Sequence, residues 1–242
     1  MAFDPTSKGY KASSAKPLPV VLLLDVSGSM SGEKINALNS AVRQMLHEFK
    51  SFLCGEQEIL TAAITFGENG AVLHMPYAKA ADAEASWTDL SARGGTPLGA
   101  ALRMAKDMIE DRSVTPSPCK TIHAILVSDG MPGDNWQPPL EAFINSGRSM
   151  KALRMAMAIG DDADENMLNQ FIAGATDLNG NPIELFHADN AADITKFFKN
   201  VTQSVKTTST SPAKPASKHG TSDRPGSVRP SSSGSFDDNG MD

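Results

Sequence analysis

Cysteine and aromatic side chains are scarce in this chain of 242 residues. It has two cysteines, Cys54 and Cys119, and aromatic residues make up 6% of the sequence. Two cysteines so far apart give neither the paired spacing of a zinc site nor that of a redox motif. We therefore expect free thiols, and the five scattered histidines likewise predict no zinc site.

Long apolar runs and an excess of basic charge are also missing. No stretch approaches the roughly 18 apolar residues that a membrane-spanning helix needs, and the polar N-terminus lacks the apolar core of a signal peptide. Lys and Arg number 22 against 28 Asp and Glu, with no basic cluster of the kind that nucleic-acid binding requires. These absences predict a cytoplasmic protein that binds neither membranes nor nucleic acids.

Composition divides the chain into three parts. Residues 1–16 are mostly polar and are predicted to be a flexible N-terminus, whereas residues 17–205 have the apolar content of one well-buried domain. Residues 206–242 are rich in Ser, Thr and Pro and have few large apolar side chains, which predicts a disordered tail. Two interpretations of the tail stay open, a passive solubilising segment or a segment that accepts phosphate.

The most informative segment joins a buried strand to a group of oxygen-bearing side chains. Apolar residues run without interruption from Pro19 to Leu24, a pattern typical of a central strand in a parallel sheet. Asp25, Ser27 and Ser29 follow at intervals of two. Their side chains are therefore expected on one side of the chain, just beyond the strand, where ligands of such sheets bind.

Two later segments add further oxygen-bearing side chains. Thr96 follows two glycines and precedes Pro97, which favours the first position of a helix, and Asp129 follows a second apolar strand. Oxygen donors of this kind suit a hard cation, Mg²⁺ first, with Mn²⁺ or Ca²⁺ as alternatives. Ordinary turn and helix-cap side chains are the other interpretation. The predicted metal site consists of Asp25, Ser27, Ser29, Thr96 and Asp129.

The rest of the pattern alternates strands with helices. Apolar residues at helical spacing predict helices over residues 33–53, 98–109, 167–172 and 191–205. Short apolar runs predict further strands over residues 59–66, 71–75 and 183–187, and another within residues 150–159. The predicted fold class is α/β, a doubly wound and mostly parallel sheet with helices on both faces and one antiparallel edge strand over residues 71–75.

In chain order, these five side chains resemble the D-x-S-x-S, T and D pattern of von Willebrand factor A, or integrin I-like, domains with a metal-ion-dependent adhesion site (MIDAS). The resemblance spans about residues 17–205. It implies a Rossmann-like fold and a non-catalytic, protein-binding module. Ser and Thr hydroxyls would ligate the metal, one or both Asp would act through water, and a partner's Asp or Glu would complete the shell. Metal ligation would also be coupled to movement of the last helix.

Segments 22–33, 36–39, 87–98 and 128–136 are most similar to stand-alone bacterial proteins associated with tellurium resistance. That similarity implies a stress-response or phosphosignalling complex, with a protein Ser/Thr kinase or a PP2C-like phosphatase as partner. Asp134 and Trp136 lie on the loop after Asp129 and are predicted to border the binding face. An interface anchor is one role for Trp136, and a cover for the sheet end is the alternative.

Other functions compete with this prediction. A scaffold could carry the metal only to stabilise its loops, and its partner binding would then survive loss of the metal. A haloacid dehalogenase-like phosphatase would use Asp25 as nucleophile and Ser128 to bind phosphate. That chemistry needs a second acid where this chain has Ser27, which cannot exchange protons near neutral pH. A serine hydrolase is disfavoured because no G-x-S-x-G elbow occurs around these serines.

Overall fold

The computed structural model describes residues 16–52 and 58–211. Its strands are β1 (Leu18–Asp25), β2 (Ile59–Gly67), β3 (Gly70–Lys79), β4 (His123–Ser128), β5 (Leu153–Ile159) and β6 (Phe186–Ala188). They form one sheet in the order β3-β2-β1-β4-β5-β6. All neighbouring strands pair in parallel except β2 and β3, which pair antiparallel at one edge. The predicted α/β class with one antiparallel edge strand is confirmed.

Helices cover both faces of the sheet. They are α1 (Glu33–Ser51), α2 (Ala80–Ser86), α3 (Leu98–Glu110), α4 (Gln137–Asn145), α5 (Glu165–Ile172) and α6 (Ala191–Thr210). Leu22 and Leu24 of β1 belong to the core that contains side chains of α1, α2 and α6, whereas Val21 and Leu23 belong to the core under α3, α4 and α5. Each of these side chains is fully buried, and burial of one such side chain stabilises the fold by about 1.5–3 kcal/mol. The apolar run of β1 is uninterrupted because helices cover both faces of the sheet.

Two strands differ from their predicted limits. β3 continues to Lys79, beyond the predicted residue 75, because its pairing with β2 resumes after an irregularity near Met75. Its Pro76 is tolerated because β3 lies at the edge of the sheet. β6 covers Phe186–Ala188 instead of residues 183–187. The backbone N–H of Ile183 donates to the carbonyl of Ala175, so this part of the predicted strand belongs to a local loop.

The last helix is longer than predicted. α6 ends at Thr210, so residues 206–210, which the sequence analysis assigned to the tail, are helical. Thr208 and Ser209 are buried, and the Lys120 ammonium donates to the carbonyls of Thr208 and Ser211 over 3.1 and 2.9 Å. This cation at the helix C-terminus satisfies the terminal carbonyls and stabilises the final turn.

Two short helices were absent from the sequence prediction. α2 has seven residues and too few apolar positions for a clear helical stripe. α4 carries two prolines in its first turn, where proline is compatible with a helix although it suggests a break in the sequence. No helix among the described residues is both long and apolar enough to cross a membrane. Cys54, residues 1–15 and residues 212–242 lie outside the described part of the chain.

Candidate metal centre

The predicted side chains meet at the carboxyl edge of the sheet, where β1 and β4 lie side by side. Asp25 is the last residue of β1, and Asp129 directly follows the last residue of β4. The register pairs Leu24 with Val127, which brings Asp25 level with Ser128. Because ligands of parallel sheets bind at this edge, the topology places all the strand-end side chains where a ligand is expected.

Asp25 is fully buried and receives two hydrogen bonds. The backbone N–H of Ser27 donates to Oδ1 over 2.8 Å, and the Ser128 hydroxyl donates to Oδ2 over 2.6 Å. Burial raises the pKa of Asp25 above its ordinary value, these hydrogen bonds oppose the change, and the negative charge of Asp129 adds to it. A positive charge nearby would therefore stabilise the ionised form of Asp25.

The serines of the motif connect β1 to Asp129. A short 3-10 turn, Gly28–Met30, carries Ser29 back towards the strand end. The hydroxyl oxygens of Ser27 and Ser29 lie 3.0 Å apart, and the Ser29 hydroxyl donates to Oδ1 of Asp129 over 2.7 Å. Ser27 is buried whereas Ser29 is exposed, so the cluster is open to solvent on the Ser29 side.

Thr96 is brought to the cluster by the loop before α3. The N–H of Gly28 donates to the carbonyl of Gly94 over 2.9 Å, and the N–H of Gly133 donates to the carbonyl of Thr96 over 2.9 Å. Thr96 is 8% exposed. A Cβ placed on Gly130 would lie 3.6 Å from Oγ1 of Thr96 and 3.7 Å from Oγ of Ser29. The hydroxyls of Thr96 and Ser29 thus border the same small space beside Gly130.

Gly94 is required by this loop for two reasons. Its φ is +78°, a conformation that side chains with a Cβ rarely adopt. A Cβ at this position would also overlap the backbone of Glu68. The close approach of the two loops therefore depends on the absence of a side chain at Gly94.

A lysine is also part of the cluster. The ammonium of Lys34, in the first turn of α1, lies 2.6 Å from Oδ2 of Asp129. The Asp129 side chain has no exposed surface, whereas 34% of the Lys34 side chain is exposed. Both oxygens of Asp129 are therefore occupied, one by Ser29 and the other by Lys34.

Residues 20–131 match the family model of the von Willebrand factor type A domain. The match identifies a von Willebrand factor type A (VWA) domain in this part of the chain. The matched segment includes every side chain of the cluster described above. A search of curated proteins found no match to the chain.

Solved structures share the fold of this VWA domain. Von Willebrand factor type A from Catenulispora acidiphila is 19% identical, with a TM-score of 0.59, over 78% of this chain and 43% of that one. The mussel byssus proximal thread matrix protein 1 with a zinc-occupied MIDAS motif is 18% identical, with a TM-score of 0.62, over 79% of this chain and 48% of that one. The pilus adhesin SpaC from Lactobacillus rhamnosus GG is 18% identical, with a TM-score of 0.62, over 80% of this chain and 30% of that one.

These identities show a common fold and no more. The chain spans less than half the length of each of the three structures.

The donor set of this VWA domain fits a hard cation. It has hydroxyl oxygens from Ser27, Ser29 and Thr96 and carboxylates from Asp25 and Asp129, with no sulfur or imidazole donor. Residues 16–52 and 58–211 contain no cluster of three or more His, Cys, Asp or Glu that could form another type of metal site. Oxygen-only donors favour Mg²⁺, Mn²⁺ or Ca²⁺ over softer metals.

Asp134 and Trp136, which are predicted to border the binding face, both make structural contacts beside the cluster. The Asp134 carboxylate accepts hydrogen bonds from the N–H groups of Gly99 and Ala100 over 2.9 and 3.0 Å. It therefore caps the N-terminus of α3 directly after Thr96. Trp136 is partly buried against the core under α3 and α4, which agrees with the alternative role of covering the sheet end. On the same loop, the large apolar side chain of Met131 is 73% exposed to solvent.

Sequence reasoning missed two members of the cluster. Ser128 had been considered only as a phosphate-binding hydroxyl, and its bond to Asp25 depends on the register of β1 with β4. Lys34 does carry a weak sequence signal. A cation in the first turn of a helix opposes the helix dipole, so its presence there suggests a partner outside the helix.

Proposed function

We propose that this VWA domain is a non-catalytic, metal-dependent protein-binding module. A divalent cation, Mg²⁺ first, would be held at the carboxyl ends of β1 and β4, and an Asp or Glu of another protein would complete its coordination. The observation that carries the proposal is the convergence of two buried carboxylates and three hydroxyls at an edge that is open beside Ser29.

Different roles for hydroxyls and carboxylates follow from their contacts. Ser27, Ser29 and Thr96 would hold the cation directly, whereas Asp25 and Asp129 already accept hydrogen bonds and would orient hydroxyls and waters around it. The three hydroxyls contribute no negative charge to the cation they would contact. A carboxylate from outside the domain is then a favourable additional ligand.

The contacts of Asp25 support binding over catalysis. Both its carboxylate oxygens accept hydrogen bonds and its side chain is fully buried, so it is poorly placed to attack a phosphate as a nucleophile. Ser27 stands where a phosphatase of the haloacid dehalogenase type needs its second acid. Hydrolysis of p-nitrophenyl phosphate by the purified protein in Mg²⁺, abolished in Asp25→Asn, would contradict the non-catalytic assignment.

The biological setting is proposed from the resemblance of four sequence segments to bacterial proteins associated with tellurium resistance. In that setting the domain would act in the cytoplasm, in a stress-response or phosphosignalling complex. A protein Ser/Thr kinase or a PP2C-like phosphatase would then be the partner, and an acidic side chain on its surface would contact the metal.

The test is capture of partners from the native host, identified by mass spectrometry. Wild type, Thr96→Ala and Ser27→Ala serve as baits in Mg²⁺ and in EDTA. Thr195→Ala is the matched control because its hydroxyl bonds only to the carbonyl of Ala191 within α6. We expect one partner to be retained by wild type and Thr195→Ala in Mg²⁺, and to be lost in EDTA and in both site variants.

The scaffold alternative gives a different result in the same experiment. If the metal only stabilises the loops, the partner stays bound to folded Thr96→Ala and Ser27→Ala and remains bound in EDTA. Circular dichroism of each bait establishes that it is folded, so that loss of a partner is not confused with loss of the domain.

A further inference from the structure

Lys34 forms an ion pair directly beside the proposed metal ligands. Its ammonium lies 2.6 Å from Oδ2 of Asp129, a side chain with no exposed surface. A Cβ placed on Gly160, at the end of β5, would lie 3.7 Å from the same ammonium nitrogen. The lysine head group therefore lies between the carboxyl ends of β4 and β5, next to the cluster.

The position of Lys34 within α1 gives no local reason for a positive charge. It lies in the first turn, where the helix dipole disfavours a cation. The N-cap residue, Gly32, has no side chain that could offset this effect. The ion pair with buried Asp129 supplies the favourable interaction. Tertiary contact with Asp129 is thus what holds the Lys34 ammonium in place.

A count of formal charges indicates what this lysine does. Asp25 and Asp129 carry two negative charges and Lys34 one positive charge, while the three hydroxyls are neutral. With a divalent cation bound, the cluster would have one net positive charge. Without Lys34 the same loaded cluster would be neutral, so the lysine leaves a positive charge that a carboxylate from outside can compensate.

We propose that Lys34 weakens metal binding in the free domain and strengthens carboxylate binding at the metal-loaded centre. This inference rests on the proposed function. Repulsion between the ammonium and the cation weakens metal binding in the free domain, and the surplus positive charge strengthens binding of an acidic side chain. By linkage, a bound carboxylate strengthens metal binding by the same factor as the bound metal strengthens carboxylate binding. The domain holds its metal firmly only when a carboxylate partner is present.

The test is a calorimetric titration of the metal-free protein with Mn²⁺, in sodium chloride and in sodium acetate of equal ionic strength. Acetate serves as the carboxylate probe. Lys34→Met removes the charge, Lys34→Gln is a second neutral variant, and Lys34→Arg retains the charge. Lys50→Met is the matched control, because Lys50 lies on the same helix and, among the described residues, pairs with half-buried Glu84 at 3.6 Å.

In chloride we expect both neutral variants to bind Mn²⁺ about tenfold more tightly than wild type, as expected when a like charge is removed beside an ion. Acetate should strengthen Mn²⁺ binding clearly in wild type and in Lys34→Arg, and much less in the neutral variants. Lys50→Met should match wild type in both salts.

Unchanged or weaker Mn²⁺ binding in both neutral variants would overturn the role of Lys34 and leave the proposed function intact. An equal effect of acetate in all variants would also overturn it. Failure of wild type to bind Mn²⁺ at all would overturn the proposed function and this inference with it. Thermal unfolding in EDTA establishes that each variant is folded before titration.

Discussion

The Ser128 hydroxyl donates to Oδ2 of Asp25 over 2.6 Å, and this buried bond joins the ends of β1 and β4. We expect Ser128→Ala to lower the free energy of unfolding in EDTA by about 1–3 kcal/mol, because the carboxylate oxygen loses its donor in a buried place. Urea denaturation measures the change.

Ser113→Ala is the matched control for this substitution. Its hydroxyl donates to Oδ1 of Asp111 over 2.6 Å in an exposed position, and loss of an exposed contact changes stability by less than about 0.5 kcal/mol. Equal effects of the two substitutions would contradict the importance assigned to the buried pair.

Replacement of Gly94 should disrupt the centre through the backbone. In Gly94→Ala the positive φ and the overlap with Glu68 both oppose the native loop, so we expect a loss of about 1–3 kcal/mol in stability. Mn²⁺ binding should weaken as well because Thr96 is displaced. Gly95→Ala is the control, since a Cβ there meets nothing within 4 Å. Wild-type Mn²⁺ affinity in Gly94→Ala would refute the argument.

Asp134 and Thr96 are neighbours in space with separable roles. Asp134→Ala removes the cap of α3 and should lower stability by about 1 kcal/mol, with a smaller loss of Mn²⁺ affinity than Thr96→Ala. Thr96→Ala should show the reverse pattern, weak metal binding with little change in stability. Thermal unfolding in EDTA and Mn²⁺ titration together measure both. Asp162→Ala, on an exposed loop, is the control for removal of a carboxylate.

His123 gives the domain a pH dependence that is unrelated to the metal centre. Burial lowers its pKa from 6.5 to about 4, although a hydrogen bond to the carbonyl of Thr121 opposes this. Its other nitrogen lies 3.2 Å from the Ser204 hydroxyl of α6. The unfolded chain therefore binds this proton more readily, so stability from neutral His123 is present above pH 6.5 and decreases as the pH falls towards about 4.

We expect His123→Gln to reduce this pH dependence. Between pH 7 and pH 5, wild type should lose more unfolding free energy than the variant, as measured by urea denaturation at each pH. Parallel pH profiles for the two proteins would show that another group is responsible.

The sequence predicted the parts of the structure that depend on local pattern. The apolar run before Asp25 identified a central strand, and the spacing of Ser27 and Ser29 predicted that they lie together. The assignment of these residues as metal ligands stays a prediction until a metal is titrated. Local pattern was sufficient here because strand periodicity and turn chemistry act over a few residues.

Features that depend on distant partners were not predicted. The Lys34 ion pair joins α1 to the end of β4, and the extra turn of α6 depends on Lys120, far away in sequence. The capping role of Asp134 likewise depends on the loop that returns to α3. Such contacts follow from the topology of the sheet, which no single segment encodes.

Pro76 has a consequence for self-association. It lies on β3, the antiparallel edge of the sheet, where the side chains of Val72 and Leu73 are also exposed. An exposed edge of this kind can pair with a strand of another molecule and start aggregation. Proline offers no N–H for such pairing, and the register irregularities on either side of Met75 twist the edge. A neighbouring molecule therefore meets two short, misaligned segments in place of one continuous strand.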